Sequence, residues 1–285
     1  MASKQSLNPH IKVLEQAMAA RYGWQTNASW RDKLIESIKM KAEKLGFDEM
    51  AYCRMAVGSP GEIEVLADMV NNCETRFFRE PDQFDALRQR VIPELMAARA
   101  TERSINLWSV ACSTGEEAYS LALLLCETLP PKENWRSNVL ATDLRGSAIL
   151  SASKGRYPSS SLRTVSLELR NCYFTKAEQN GRERSYEISP TVRKMITFRR
   201  ANMYDAKFWG TLRQNFELIV CNNLLIYFHA LAVQQTVDRL SRALRAGGLL
   251  MVMKNEAGYI NHPNLRLDDS LPGAFFRKVL SPVRT

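Results

Sequence analysis

The sequence has no run of 18 or more apolar residues, and a helix needs about 20 of them to cross the hydrocarbon core of a membrane. The first six residues contain no apolar core of a signal peptide. The three histidines, His10, His229 and His262, form no cluster with metal-ligand spacing. We therefore expect no membrane insertion, no metal centre and no catalytic histidine.

The six cysteines, at positions 53, 73, 112, 126, 172 and 221, show no paired spacing. Cys112 and Cys221 end apolar strand patterns and Cys126 lies in a helical pattern, so free buried thiols are favoured over disulfides or a zinc site. Unpaired thiols without a signal sequence predict a cytoplasmic location. A chain of 285 residues fits one large domain, or one domain with a smaller companion.

The net charge of +9 is unevenly distributed along the chain. Residues 1–70 carry nine basic and nine acidic side chains, whereas residues 144–216 carry 14 basic and five acidic ones. This basic segment is compatible with nucleic-acid binding, with docking of an acidic protein, or with an ordinary solvated surface. A complex with an acidic partner should weaken as the salt concentration rises.

Residues 1–70 show helical patterns. Ser29 with Asp32 resembles a capping box, and Gly46 is expected to end the helix that follows. Turn residues at 58–61 precede a further helical pattern. The apolar face of the helix after Ser29 comprises Leu34, Ile38, Ala42 and Leu45.

From residue 104 the pattern changes to alternating strands and helices, which predicts a mostly parallel, doubly wound sheet. The predicted strands are 105–111, 139–142, 217–221 and 248–253, and the predicted helices are 116–128 and 230–244. Residues 157–200 interrupt this alternation with a polar and basic stretch. There, Asn180-Gly181 lies between two short strand patterns at 172–175 and 185–188, which predicts a small β insertion.

The stretch Cys112-Ser-Thr-Gly-Glu-Glu117 connects an apolar strand to a helix. In α/β sheets, ligands bind at the carboxyl ends of strands, beside helix N-termini. Glu116 and Glu117 would repel a phosphate and favour a cation there, although acids in a first helical turn also interact favourably with the helix dipole. S-adenosylmethionine suits such a turn, because it combines a sulfonium, an ammonium and a ribose.

Two later strands also end in polar residues. Asp143 can accept both hydroxyls of a ribose or cap a helix, and its place one βα unit after the acidic turn favours the ligand. Asn222 and Asn223 can bind an adenine edge or a substrate carboxylate, and Tyr227 either offers its hydroxyl or packs against a helix start.

In the segment 73–80, an arginine can bind a carboxylate in bidentate fashion or belong to an amphipathic helix start.

Four elements, taken in chain order, carry a resemblance to a known family. They read Thr75-Arg-Phe-Phe-Arg79, Ser113-Thr-Gly-Glu-Glu-Ala-Tyr-Ser120, Asp143 followed by Asn202-Met203, and Cys221-Asn-Asn-Leu-Leu-Ile-Tyr-Phe228. This ordered set resembles the chemoreceptor glutamate methyltransferases of bacterial chemotaxis, the CheR family. The resemblance covers roughly residues 30–256.

The resemblance implies an α/β fold, a class I S-adenosylmethionine-dependent methyltransferase with a Rossmann-like doubly wound sheet. It implies a helical N-terminal domain (1–72), a linker and cofactor-covering segment (73–103), and a methyltransferase domain (104–285) with an antiparallel β insertion at about 157–200. It also implies S-adenosylmethionine as methyl donor, S-adenosylhomocysteine as product, and a glutamate in the cytoplasmic helical bundle of a chemoreceptor as acceptor. No metal is implied.

The resemblance also assigns residues to the site. Arg79 and Tyr227 would lie beside the acceptor carboxylate. The cofactor would contact Thr75, Arg79, Glu117, Asp143, Asn202, Met203, Asn223 and Leu224.

The chain departs from the family pattern at several positions. Asn222 stands where the family has arginine, Cys73 where it has asparagine, and Arg145 where it has a second acid. Met253-Lys-Asn-Glu256 keeps only the glutamate of a closing Gly-His-Ser-Glu. The β insertion lacks a clear glycine-rich loop. In the family that the chain resembles, this loop accompanies docking on a receptor's tether peptide, so we predict tether-independent action. We also expect a monomeric protein.

These departures leave a second hypothesis, a diverged module that binds the cofactor or docks on a signalling array with little turnover. A third hypothesis, methylation of nucleic acid, is disfavoured because the sequence lacks the Asn/Asp-Pro-Pro-Tyr type of motif. We therefore predict no nucleic-acid partner, and salt-dependent binding to DNA would contradict this.

Overall fold

A computed structural model of the chain describes residues 2–71, 75–177, 184–212 and 215–279. Its strands are β1 (Ser104–Val110), β2 (Arg136–Asp143), β3 (Arg156–Pro158), β4 (Phe174–Lys176), β5 (Ser185–Ile188), β6 (Ile196–Arg200), β7 (Phe216–Cys221), β8 (Leu244–Val252), β9 (Leu265–Leu267) and β10 (Ala274–Lys278). Seven of them form one sheet in the order β6-β2-β1-β7-β8-β10-β9.

The pairings between β6 and β8 in this sheet are all parallel, and β10 runs antiparallel to both of its neighbours. The chain passes outward from β1 to β2 and β6, and then returns to build β7 and β8 on the other side. This reversal makes the point between β1 and β7 a topological switch point, where open α/β sheets bind ligands. The predicted doubly wound sheet is thus confirmed.

The helices surround the sheet, and a π-helical turn at Leu87–Val91 joins the fifth to the sixth. They are α1 (Ala2–Tyr22), α2 (Ala28–Leu45), α3 (Glu49–Val57), α4 (Pro60–Val70), α5 (Pro81–Ala86), α6 (Ile92–Ala98), α7 (Glu116–Thr128), α8 (Gly146–Lys154), α9 (Leu167–Tyr173), α10 (Pro190–Arg193), α11 (Ala206–Gly210) and α12 (Ala230–Ala243). Among the described residues, no helix has both the length and the apolar character that crossing a membrane requires.

The start of α2 differs from the predicted capping box. Asn27 is the N-cap, and its side chain accepts the backbone N–H of Trp30 at 2.9 Å. Ser29 and Asp32 therefore lie inside the helix, because the chain already turns helical at residue 28. The predicted end is confirmed: Gly46 has φ 72°, a left-handed conformation that suits glycine.

Apolar side chains fill both faces of the sheet. On one face, the N-terminal helices and α12 pack with Trp108 and Ile219. On the other face, α7, α5 and the small sheet pack with Leu107 and Val220. The predicted face of α2 is buried except for Leu45, which is 45% exposed because it lies in the last turn of the helix, beyond the packed region.

The small β insertion is confirmed as a three-stranded antiparallel sheet in the order β3-β5-β4. Its Asn180-Gly181 signal lies outside the described residues. The predicted limit at about residue 200 is wrong, because β6 (Ile196–Arg200) pairs in parallel with β2 and belongs to the main sheet. As an edge strand, β6 is only half-buried, so its sequence is polar and resembles that of the insertion.

Candidate active site

The turn between β1 and α7 is sharply bent. Ala111 and Ser113 have left-handed φ values of 58° and 51°, and Gly115 has φ 98°. A Cβ on Gly115 would lie 2.8 Å from the Cβ of Ala152 and 2.9 Å from the hydroxyl of Tyr157, so only glycine fits there. Because Ala111 already leaves the extended conformation, the strand ends one residue before its predicted limit.

Glu117 lies at the floor of this turn, where two side chains hold its carboxylate. The Ser109 hydroxyl donates to Oε1 at 2.6 Å, and the Asn222 amide donates to Oε2 at 3.0 Å. Burial raises the pKa of Glu117 to about 7, although these two hydrogen bonds and the charge of Arg79 act in the opposite direction. A cation bound beside Glu117 would therefore stabilise the ionised form of this carboxylate.

Asn222, which replaces the family's arginine, therefore has a defined place in the site. Its Nδ2 orients Glu117, while its Oδ1 is buried without a hydrogen-bond partner among the described residues. An unpaired buried oxygen is costly unless a ligand donates to it. The carboxylate and this oxygen together form an acceptor pair that suits an ammonium group.

Asp143 ends β2 beside the acidic turn. Its Oδ2 accepts the backbone N–H of Ser113 at 2.8 Å, and its Oδ1 accepts that of Arg145 at 2.9 Å. The Arg145 guanidinium lies 3.6 Å from Oδ1 and donates to the Ser113 hydroxyl at 2.8 Å. Burial raises the pKa of Asp143 despite these contacts. Arg145, which stands where the family has a second acid, thus joins the turns after β1 and β2.

The turn after β7 is organised by a buried carboxylate from a distant part of the chain. Glu256 has no exposed surface and accepts the backbone N–H groups of Asn223 at 2.7 Å, Leu225 at 2.9 Å and Ile226 at 3.3 Å. Burial raises the pKa of Glu256, and these N–H groups lower it. Asn223 adopts a left-handed φ of 57°, so the turn depends on this support.

The N-terminal helices close one side of the site. The segment after α1 forms an isolated antiparallel bridge, Trp24 with Phe228, and the N–H of Gln25 donates to the carbonyl of Tyr227 at 2.7 Å. The Asn202 amide donates to the carbonyl of Arg21 at 2.8 Å. The predicted cofactor residue Asn202 therefore also ties the N-terminal helices to the sheet.

The segment 75–80 closes the other side. Phe77 is fully buried and packs edge-on against Tyr157 and Phe174, with ring centroids 5.0 and 5.6 Å apart. The N–H of Phe78 donates to the Ser120 hydroxyl at 2.9 Å, which fixes the segment on α7. Phe77 and Phe78 directly precede Arg79, so their contacts fix the backbone from which the Arg79 side chain extends.

These elements enclose a cleft with an empty volume of about 1040 Å³, which includes space open to solvent. Its lining includes Tyr22, Trp24 and Phe84 besides polar residues. Every residue that the resemblance assigns to cofactor or acceptor lines it: Thr75, Arg79, Glu117, Asp143, Asn202, Met203, Asn223, Leu224 and Tyr227.

The two acids of the turn have different positions. Glu116 does not line the cleft: it is 4% exposed and accepts the Thr114 hydroxyl at 2.6 Å, so only Glu117 faces the cleft.

Two residues that sequence reasoning does not assign to the site support it. Ser109 donates a hydrogen bond to the carboxylate of Glu117, and Glu256 accepts the backbone N–H of Asn223. Among the described residues, no group of histidine, cysteine or acidic side chains could hold a metal ion.

The doubly wound sheet, its antiparallel strand β10 and the cleft at the switch point, with Glu117 and Asp143 in its lining, define a class I S-adenosylmethionine-dependent methyltransferase. Within this class, the chain belongs to the CheR methyltransferase family, because residues 73–265 match the family model described as "CheR methyltransferase, SAM binding domain". The cofactor and the fold implied by the resemblance are thereby confirmed.

Named relatives match over most of their length. A "Probable chemotaxis protein methyltransferase" of Rhizobium etli is 32% identical, over 74% of this chain and 77% of the relative. "Chemotaxis protein methyltransferase 1" of Pseudomonas aeruginosa is 32% identical, over 75% of this chain and 77% of the relative. The "Probable biofilm formation methyltransferase WspC" of the same species is 28% identical, over 88% of this chain and 58% of the relative.

Proposed function

We propose that the protein transfers a methyl group from S-adenosylmethionine to glutamate side chains of chemoreceptors, which gives glutamate methyl esters. The observation that carries this proposal is the meeting of nine family positions, from five separate parts of the chain, in one cleft. The alternative of a docking module with little turnover loses its main support, because Asn222 orients Glu117 rather than disrupting the site.

The cleft suits each part of the cofactor. Glu117 and the unpaired Oδ1 of Asn222 would hold the ammonium group. Asp143, the last residue of β2 at the same sheet edge, would accept the ribose hydroxyls. Met203 and Leu224 supply apolar surface for the adenine. This distribution of acids and apolar groups matches a cation with a nucleoside at one end.

The reaction needs no general base. The acceptor glutamate has an ordinary pKa of about 4.3, so it is ionised at neutral pH. S-adenosylmethionine supplies an electrophilic methyl group on a sulfonium. A carbon–oxygen bond forms as the carbon–sulfur bond breaks, and the electron pair leaves with sulfur. The protein chiefly aligns the reactants and excludes water, which in favourable cases is worth roughly 7–11 kcal/mol.

Arg79 and Tyr227 are the residues we propose beside the acceptor carboxylate. A strong ion pair would weaken the nucleophile, so Arg79 is expected to orient it. Arg79→Lys should therefore lower kcat by more than about tenfold while cofactor affinity changes less than about threefold, because lysine lacks the planar bidentate fork. Tyr227→Phe should show the same split. Single-turnover kinetics with calorimetric cofactor titration measure both quantities, and equal losses would indicate a role in cofactor binding alone.

Cofactor binding should depend on pH through Glu117, whose pKa is about 7. Only the ionised carboxylate attracts an ammonium, so lowering the pH from 7 to 5.5 should weaken binding by about tenfold. In the protein without cofactor, the free energy of unfolding depends on pH in the opposite direction. Because the folded-state pKa lies above the ordinary 4.5, the contribution of Glu117 to the unfolding free energy falls as the pH rises from 4.5 to about 7.

Calorimetric titration of the cofactor across this pH range checks the expectation. The matched control is Glu117→Gln, which keeps the shape of the side chain but cannot ionise. This variant should bind weakly and with little pH dependence. A Gln variant that keeps the wild-type pH profile would show that another group titrates.

The partner that we propose is the cytoplasmic helical bundle of a chemoreceptor. Action independent of a tether peptide, a monomeric state and a cytoplasmic location belong to this proposal. Tight binding of a receptor tether peptide in a pull-down would contradict the first of them.

The direct test is methyl transfer from labelled S-adenosylmethionine to receptor cytoplasmic fragments of the same organism. Label released by mild base would identify a carboxyl methyl ester. Clear cofactor binding without any labelled receptor would contradict the proposed acceptor.

A further inference from the structure

One carboxylate on α4 joins the N-terminal helices to the sheet beside the cleft. Glu64 Oε1 accepts a guanidinium N–H of Arg21, in the last turn of α1, at 2.5 Å. Its Oε2 accepts one from Arg200, the last residue of β6, at 2.8 Å. The hydrogen bond from Arg200 lowers the pKa of Glu64, against a smaller opposing effect of burial. Glu64 is therefore ionised at neutral pH and binds guanidinium groups from two distant parts of the chain.

The last turn of α1 is held at two points and leads into the wall of the cleft. The Arg21 side chain binds Glu64, and the Arg21 carbonyl accepts the Asn202 amide at 2.8 Å. The next residue, Tyr22, lines the cleft, and its ring packs against that of Trp24 with centroids 4.6 Å apart. Trp24 lines the cleft as well. These two rings, Tyr22 and Trp24, are here called the aromatic wall.

The arginine on the sheet side contacts the end of the cleft at which we place the ribose. The Nε of Arg200 donates to the carbonyl of Leu144 at 3.0 Å, and Leu144 follows Asp143 and lines the cleft. One turn further along α4, Asp68 accepts the Ser147 hydroxyl at 2.8 Å. The helix α4 is thus bound to the segment that carries the proposed ribose acceptor.

We propose that Glu64 is a positioning residue for cofactor binding, whose two ion pairs hold the aromatic wall against the nucleoside of S-adenosylmethionine. This inference rests on the placement of the nucleoside proposed above, and it does not depend on which acceptor is methylated. The three side chains of the network are 34% to 47% exposed, so their ion pairs are modest in strength and are screened by salt. A modest contribution still strengthens binding, because a wall that is already held in place need not be ordered when the cofactor binds.

The test is calorimetric titration of the full-length protein with two ligands. One is S-adenosylhomocysteine, and the other is 5′-methylthioadenosine, which keeps the nucleoside but lacks the amino-acid part. Glu64→Gln preserves the size of the side chain and removes its charge, so it should raise Kd about fivefold for both ligands. In about 1 M salt, where the screening length is about 3 Å, the variant and the wild-type protein should differ by less than about twofold.

The matched control is Glu62→Gln on the same helix. Glu62 pairs with Lys41 at 3.1 Å and accepts the Tyr52 hydroxyl at 2.8 Å, so both of these contacts lie within the N-terminal helices. This variant should lower the stability of the protein to denaturant but leave both Kd values unchanged. Equal losses of ligand affinity in the two variants would overturn the positioning role in favour of a general loosening of the N-terminal helices.

The two ligands also separate this inference from the proposed placement of the cofactor. Glu117→Gln should weaken S-adenosylhomocysteine alone, because only that ligand carries the ammonium group. Unchanged Kd values in Glu64→Gln, or a loss confined to S-adenosylhomocysteine, would overturn the role of Glu64 while the cofactor placement stands. Equal weakening of both ligands by Glu117→Gln would instead refute the placement of the cofactor, and the role of the aromatic wall with it.

Discussion

Glu256→Ala should lower the free energy of unfolding by about 3 kcal/mol, because it leaves three backbone N–H groups of the turn after β7 without their acceptor. It should also reduce cofactor affinity and kcat by more than about tenfold. Asn223, Leu224 and Tyr227 all lie on or beside this turn and depend on its shape. Denaturant unfolding, calorimetric cofactor titration and labelled methyl transfer measure the three quantities.

The matched control for this prediction lies at the other end of the same strand. Glu217 is also buried, at 1% exposure. It accepts the N–H of Asn106 at 2.7 Å and forms an ion pair with Arg99. Because Glu217 is the second residue of β7, at the end of the strand away from the cleft, Glu217→Ala should destabilise the protein but leave cofactor affinity intact. Equal loss of cofactor affinity in both variants would mean that Glu256 acts only through global stability.

Asp143→Asn should weaken cofactor binding by about 100-fold, or about 2.7 kcal/mol. The amide group of asparagine cannot accept both backbone N–H groups that now bind the carboxylate. It also removes the counter-charge of the buried Arg145 and an acceptor for the ribose. Calorimetric titration with S-adenosylmethionine and with S-adenosylhomocysteine should show the same loss, because both carry the ribose.

Two controls separate the causes of that loss. Asp205→Asn removes a carboxylate that caps α11 outside the cleft, and should leave cofactor binding unchanged. The double variant Asp143→Asn, Arg145→Gln tests the unpaired guanidinium. Recovery of affinity in the double variant would contradict a ribose role for Asp143 and attribute the defect to the unpaired charge of Arg145.

The acidic turn was predictable because its signals are local. An apolar strand, a glycine that needs a positive φ and an acidic helix start occupy adjacent positions. Asp143 was predictable for a similar reason, since it ends the next strand of the same alternating pattern. The carboxyl ends of parallel strands meet at one sheet edge, so order along the chain was sufficient to bring these residues together.

The residues that hold the site in place were harder to predict from the sequence. Ser109 has no exposed surface and lies within an apolar strand, and such an isolated polar residue is a signal visible in the sequence. The acceptor role of Glu256 is not visible there, since its three N–H partners lie 30 to 33 residues earlier. The same holds for Asn202, whose amide binds a carbonyl 181 residues away.

The sequence by itself determined the alternating strands and helices, the place of the acidic turn, and the family to which the chain belongs, because each rests on short segments or on their order. Only the tertiary structure decided which acid of the turn faces the cleft, how Asn222 serves in place of arginine, and that β6 belongs to the main sheet. It also brought Glu64 beside Arg21 and Arg200. These features depend on side-chain directions and strand pairings between distant segments, which local patterns do not specify.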